Sequence, residues 1–343
     1  MQPFWEKLSK PYFAVAPMVG NSEEAWRMLS RRYGANILYT EMVHCESFLR
    51  GACDPCSNQW YTTSERDRPL IVQISGNSPQ KMLEAALIIQ SQCDAIDVNF
   101  GCPQKVAKKG RYGVYLQEDW ELTAEIIRVL STSLRVPVTC KIRVFECISK
   151  TAEYAKMIES AGCSMLAVHG RTRDQKGAMM GLASWEHIKA VKQCLKIPVL
   201  SNGNIMSHDD ILRCLEYTGC DGVMVGEAHL HNPLVFCRLR SSCLDMIREY
   251  IEICKEYPSS AGIRHIKSHL FKLLSVYFTE RPEMRPVLDA CDSLEKASAF
   301  YLGLVNEAVL LGNGSDGYGI YEMKPEPVDS TCSIMHANWS YSL

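Results

Sequence analysis

The sequence lacks a surplus of charge of either sign. Over 343 residues, 37 Lys and Arg stand against 39 Asp and Glu, a formal net charge of −2. That balance excludes a diffuse polycationic mode of nucleic-acid binding. Long apolar runs are also missing: none approaches the roughly 18 residues a membrane span requires. Residues Met1 to Lys10 carry no basic stretch followed by an apolar one, so neither a leader nor an anchor is expected. No G-x-G-x-x-G turn follows the first apolar run, where Val19, Gly20, Asn21, Ser22 and Glu23 stand. An open dinucleotide-binding sheet would favour one. A second C-x-x-C pair is absent: Cys53–Cys56, with His44 and Cys45 nearby, is half of a zinc site, and no metal is expected. Cysteine itself is not scarce, at 16 residues, but this is below the density of a disulfide scaffold. We expect reduced thiols and a soluble protein of the cytoplasm or nucleus.

The first two-thirds alternates short apolar runs with capped helical stretches. The runs are 12–18, 37–42, 70–74, 95–100, 136–142, 165–169, 197–201 and 222–226. They are too short for helices and nearly continuous in hydrophobicity, as strands covered on both faces should be. Helix starts are expected at Asn21 with Glu24, at Ser78 before Pro79, at Thr151, at Ser184, and at Ser207 with Asp210; Gly34, Gly162 and Gly219 mark stops. Eight such units argue for an α/β fold, a closed (β/α)8 TIM barrel, over residues 1–236.

After Asn232 and Pro233 the pattern turns wholly helical. Apolar stripes run through Ile247, Tyr250, Ile251 and Cys254, through Ile266, Leu270, Leu273 and Leu274, and through Leu294, Ala297, Tyr301, Leu304 and Ala308. We read residues 237–311 as a C-terminal all-helical domain. Residues 312–343, rich in Gly, Ser, Asp and Pro, read as a disordered tail.

In such a barrel, chemistry sits at the C-terminal ends of the strands. The polar residues there are Gln73, Asn99, Lys141, His169, Arg171, Asn202 and Asn204, with Cys102 just past the fourth run. Each taken singly fits an ordinary strand end. Together they aim at one mouth. Lys141, between Cys140 and Ile142, needs an anionic partner, supplied by a ligand or a protein carboxylate. Small-residue turns at Asn202, Gly203 and Asn204 and at Gly226 suit a phosphate, although Glu227 would repel one unless it points away. Gly101 and Pro103 turn the chain directly after a buried run and lift Cys102 to the mouth. A thiol of ordinary pKa, about 8.5, donates a proton at neutral pH; nearby cations favour thiolate and nucleophilic work. The residues alone leave both roles open.

These motifs resemble the tRNA-dihydrouridine synthase family. The similarity rests on Ala16-Pro-Met-Val19, Pro69-Leu-Ile-Val-Gln73, Asn99-Phe-Gly-Cys-Pro-Gln104, Gly110-Arg-Tyr-Gly-Val-Tyr-Leu116, Lys141-Ile-Arg143, Val168-His-Gly-Arg-Thr172 and Asn202-Gly-Asn-Ile205. The eukaryotic branch acting at tRNA positions 16 and 17 is the nearest in pattern, through Val138–Phe145, Gln175–Gly177, Ala183–Val191 and Leu230–Pro233. The resemblance implies an FMN-bearing barrel and a helical tRNA-binding domain, with NADPH or NADH as reductant. Hydride would pass to uridine C6, and Cys102 would protonate C5. It implies that Pro17, Met18, Val19, Gln73, Asn99, Lys141 and His169 contact the flavin, with Lys141 at its N1/O2 edge. Asn202, Gly203, Asn204, Gly226 and Glu227 would hold the phosphate, mainly through backbone N–H groups. Many members carry Arg at the position of Glu227, a polar residue at Gly20 and Ala at Val114, so this chain departs there.

We expect a monomer acting on tRNA. Lys105, Lys108, Lys109, Arg111, Arg171, Arg264, Lys267 and Lys272 are the candidate RNA contacts. Two alternatives remain open: an FMN barrel reducing a small pyrimidine, and a non-catalytic RNA-binding protein of the same fold. The helical region and basic stretches argue against the first, and the intact Cys102, Lys141 and His169 against the second.

Overall fold

The structure, a computed structural model, describes residues 3–52, 60–239 and 241–310. Its strands are β1 (Tyr12–Val15), β2 (Val43–His44), β3 (Ile71–Ser75), β4 (Ala95–Phe100), β5 (Val138–Arg143), β6 (Leu166–His169), β7 (Val199–Asn202) and β8 (Gly222–Val225). All eight are parallel and run β1-β8-β7-β6-β5-β4-β3-β2 around the sheet. Single bridges, Ala14 to Ile37 and Tyr39 to Ile71, close the remaining seam. The second strand therefore differs from the expected run at 37–42. Residues 37–39 bond first to one neighbour and then to the other: Val15 N donates to Ile37 O at 3.1 Å, and Ile71 N to Leu38 O at 2.9 Å. The Thr40 hydroxyl then takes the Gln73 N–H at 3.2 Å, replacing a ladder bond with a side-chain bond.

The barrel helices are α1 (Glu24–Arg32), α2 (Cys45–Ala52), α3 (Pro79–Ile89), α4 (Lys105–Gly110), α5 (Trp120–Ser133), α6 (Ile148–Ser160), α7 (Trp185–Cys194), α8 (His208–Thr218) and α9 (Glu227–His231). Ser78, Ser184 and Ser207 cap α3, α7 and α8 as the sequence predicts, and Asp210 completes a capping box. Two starts differ. The cap of α1 is Glu23, whose carboxylate takes the Trp26 N–H, while Asn21 accepts the Ser268 hydroxyl at 2.7 Å. Helix α6 starts at Ile148, and Thr151 turns its hydroxyl back to Cys147 O at 3.0 Å.

Strand alternation sorts the core. On β4, Ile96, Val98 and Phe100 face the helical layer with Met82, Ile126 and Ile158. Ala95 faces the barrel interior, where Tyr12, Ala14, Tyr39, Ile71, Ala167, Leu200 and Met224 fill the floor and Trp5 plugs it from below. Two and four residues beyond Ala95 on the same face come Asp97 and Asn99. Inward positions thus pass from apolar at the floor to polar at the C-terminal mouth.

After Phe236 only helices follow among the described residues: α10 (Cys243–Glu256), α11 (Ile263–Leu273), α12 (Tyr277–Glu280), α13 (Met284–Asp289) and α14 (Leu294–Leu310). The three apolar stripes meet in one core that also takes Trp26 and Leu29 of α1. Trp26 stacks on buried His269, ring centroids 3.8 Å apart. Glu23 takes the Tyr250 hydroxyl at 2.7 Å and faces His269 Nε2 at 3.0 Å. Nearer the mouth, Glu41 accepts the Gly20 N–H at 2.8 Å and lies 3.1 Å from His265 Nε2. Helix α11 is thereby tied to the loop after β1. Cys53, Cys56 and residues 312–343 lie outside the described residues.

Candidate active site

Strand register sets the polar residues side by side. Gln73 pairs with Asp97, and Asp97 with Thr139. Asn99 pairs with Lys141, Arg143 with His169, and His169 with Asn202. Polar residues from β3 through β7 therefore share one mouth, as the sequence predicts.

The Cys102 loop is held by its backbone. Asn99 Oδ1 accepts the N–H groups of Gly101 and Cys102, at 3.0 and 2.9 Å. Val114 N donates to Cys102 O at 3.2 Å. Gly113 allows that approach: it sits at φ +64°, and a Cβ there would lie 2.7 Å from Cys102 O. Arg143, buried, donates from Nε to Gly101 O at 3.0 Å and from its fork to Thr172 O and Gln175 O. It clamps the cysteine loop to the loop after β6. The Cys102 side chain itself is half-buried.

Lys141 Nζ donates to Asn202 Oδ1 at 3.0 Å, and Asn202 is oriented by its own bond to Met224 O at 2.8 Å. Among the described residues no carboxylate pairs with this ammonium. Burial, and then Arg143, pushes its pKa down to about 8 against the pull of Asp97 and Cys102. His169 Nε2 lies 3.0 Å from the Arg171 guanidinium. A guanidinium only donates, so Nε2 accepts and the ring proton sits on Nδ1. Burial, with Lys141, Arg143 and Arg171, holds the His169 pKa far below its ordinary range, so the ring is neutral at physiological pH.

The turn after β7 has no room for a side chain at Gly203. Gly203 has φ +116°, and a Cβ there would lie 2.6 Å from Ala183 Cβ and 3.3 Å from His169 Cδ2. Asn204, at φ +59°, spends its side chain on Ala183 N and O and on Arg171. Arg171 also donates to Gly181 O at 2.9 Å, so it braces the turns around the mouth. Met18 N donates to the Ser22 hydroxyl at 2.9 Å, and Gly226 lies behind the Met18 sulfur. Glu227 points away from the mouth, onto His231 and Lys272; the His231 bond, with Lys272, holds its carboxyl down at about 2. Its charge is met outside the turn.

The candidate RNA cations divide. Lys105, Lys108, Lys109 and Arg111, on and just after α4, are exposed and carry no ion pair among the described residues. Arg264 is exposed as well. Lys267 is bound to Asp289 and Lys272 to Glu227. Two site residues, Arg143 and Asp97, were not singled out from sequence. Each lies two positions from a residue that was, Lys141 or Asn99, and so on the same strand face.

A model of the dihydrouridine synthase family matches residues 14–307. The chain belongs to this enzyme family. A tRNA-dihydrouridine(16/17) synthase [NAD(P)(+)]-like protein of Rattus norvegicus is 46% identical over 297 residues, covering 86% of this chain and 67% of the relative. The mouse counterpart is also 46% identical, and this chain spans 62% of it. The tRNA-dihydrouridine(16/17) synthase [NAD(P)(+)] of Schizosaccharomyces pombe is 44% identical over 299 residues, covering 83% of this chain and 74% of that one. Among solved structures, histamine dehydrogenase from Rhizobium sp. 4-9 superposes with a TM-score of 0.50 at 11% identity, over 70% of this chain and 48% of that one. That likeness concerns the barrel fold alone. Among the described residues, no helix is long and apolar enough to cross a membrane.

Proposed function

We propose that this protein reduces uridine in the tRNA D-loop, at positions 16 and 17, to 5,6-dihydrouridine, with FMN as resident cofactor and NADPH or NADH as reductant. The observation that carries the reading is Lys141: an ammonium with no paired carboxylate among the described residues, beside Asn202 and His169, in the mouth that the Cys102 loop borders.

The donor set fits a phosphorylated flavin. Lys141 would hold the N1/O2 edge, where reduction builds negative charge, with Gln73, Asn99 and neutral His169 around the ring. Pro17, Met18 and Val19 would line its other side. The cramped turn at Asn202, Gly203 and Asn204, with Gly226, would offer backbone N–H groups to the phosphate, and Glu227 is turned aside. Held there by these residues, a reduced flavin would supply the hydride that uridine C6 receives.

Cys102 completes the addition. Its thiol gives a proton to C5, and the thiolate recovers a proton from solvent. Asn99, Val114 and Arg143 hold the cysteine loop from three sides, so the thiol is positioned before the base arrives. The target uridine must leave its stack to reach a barrel mouth, which costs a few kcal/mol offset by backbone contacts. The exposed cations of α4, and exposed Arg264 in the first turn of α11, are suited to those phosphates.

Replacing Cys102 tests the reading. A Cys102→Ala protein is expected to purify yellow, with its flavin reduced normally by NADPH, while dihydrouridine formation falls on the order of a hundredfold or more. Full activity in that variant would remove Cys102 from the mechanism.

A further inference from the structure

We infer that Asp97 is a positioning residue that fixes the backbone of the Cys102 loop through a relay of two amide side chains. The inference deepens the dihydrouridine reading and rests on it for its kinetic part. Asp97 is fully buried inside the barrel. It accepts the Thr139 hydroxyl at 2.6 Å and Gln73 Nε2 at 2.8 Å. Gln73 Oε1 accepts Asn99 Nδ2 at 2.8 Å. Asn99 Oδ1 then accepts the N–H groups of Gly101 and Cys102.

Each link has a polarity. An ionised carboxylate only accepts, so Gln73 must turn its NH2 toward Asp97 and its oxygen toward Asn99. Asn99 must then offer its NH2 to Gln73 and its oxygen to the loop. At the far end, backbone N–H groups only donate, so the loop makes the same demand on Asn99. The two ends agree, and reversing either amide would set like groups face to face. A buried carboxylate without a cation in contact is costly to keep. Burial pushes the Asp97 pKa up to about 6, against the bonds from Thr139 and Gln73, and Lys141 acts only at longer range. Removing the charge while keeping a partner for Thr139 and Gln73, as Asp97→Asn does, should therefore leave the fold about as stable as before, which separates a positioning role from a structural one; Asp97→Ala strands both groups and lowers stability.

Amide exchange at Gly101 and Cys102 in the flavin-free protein reads the relay directly. Asp97→Asn keeps the size of the side chain but ends the acceptor-only demand, and Asp97→Ala removes the acceptor. Asp97→Ala is expected to raise exchange at these two amides about tenfold, with β8 unchanged, and Asp97→Asn, whose oxygen can still take the Gln73 NH2, to raise it less. Thr139→Val, which leaves the Asp97–Gln73 bond, is expected to keep them protected. In the flavin-loaded protein, the Asp97 variants should lower kcat on tRNA by on the order of tenfold to a hundredfold, with KM held within about twofold. Unchanged exchange in both Asp97 variants, or an equal rise in Thr139→Val, overturns the relay. A wild-type protein that forms no dihydrouridine would instead overturn the functional reading and leave the exchange result standing.

Discussion

Lys141 is the residue whose chemistry asks most for a ligand. Its charge is held to a pKa of about 8 by burial and by Arg143, and its hydrogen-bond acceptor, Asn202, is neutral. It keeps its proton below about pH 8 and loses it above, so flavin loading should weaken as pH rises from 7 to 9. Lys141→Met should flatten that dependence in a fluorescence titration. It should also lower the flavin midpoint potential by tens of millivolts, about 30 mV corresponding to 1.4 kcal/mol for two electrons. An unchanged potential would detach Lys141 from the flavin. At this scale much of the site was legible. Gln73, Asn99, Lys141, His169 and Asn202 stand out as polar groups ending apolar runs. Arg143 and Asp97 were reachable by counting in twos along the same strands. Their tasks were not, because the bonds to Gly101 O and Gln73 depend on cross-strand register and loop path.

Among elements, α11 shows where sequence reasoning stops. Its cations and histidines suggest an RNA-facing surface, or a plain solvated face. Folding turns most of them inward, toward acids that are distant in the chain: His265 to Glu41, His269 to Glu23, and Lys272 to Glu227. Only Arg264 keeps the simple reading. The helical stripes themselves were legible, because a 3.6-residue period is local, whereas the partners are not. Glu23 is the hinge of this docking. Burial opposes its ionisation, but His269 and Tyr250 outweigh burial and hold the carboxyl at about 2. A depressed carboxyl pKa stabilises the fold fully above its unfolded value, and that support is lost as pH falls toward the folded one. Chemical denaturation should therefore show stability draining between about pH 4.5 and 2, and draining less in Glu23→Ala, where Glu227 alone of these two carboxyls still contributes, than in the wild type. At neutral pH, Glu23→Ala strands the Tyr250 hydroxyl and a His269 nitrogen, a cost of about 1–3 kcal/mol for each group. A variant as stable as the wild type would show that the two regions are held by apolar contact alone.

For the whole molecule, the net charge of −2 understates what one face presents. Lys105, Lys108, Lys109 and Arg111 stand on and beside α4, the helix that follows the Cys102 loop, with no ion pair among the described residues. Replacing the three lysines with Ala should weaken tRNA binding and reduce the slope of log affinity against log salt by about two, roughly 0.7 for each phosphate no longer neutralised. An unchanged slope would move the RNA elsewhere. The barrel was legible at this scale from eight apolar runs separated by capped helices. The exception is the seam at residues 37–44, where a strand shared between two neighbours leaves no clean periodic signature.

The central claim is tested most directly by incubating the flavin-loaded protein with unmodified tRNA and NADPH and mapping the products by mass spectrometry. The account predicts two added hydrogens on D-loop uridines at positions 16 and 17, formed more slowly by on the order of a hundredfold or more when Cys102→Ala replaces the wild type. A yellow protein that oxidises NADPH yet leaves every uridine unreduced would contradict it.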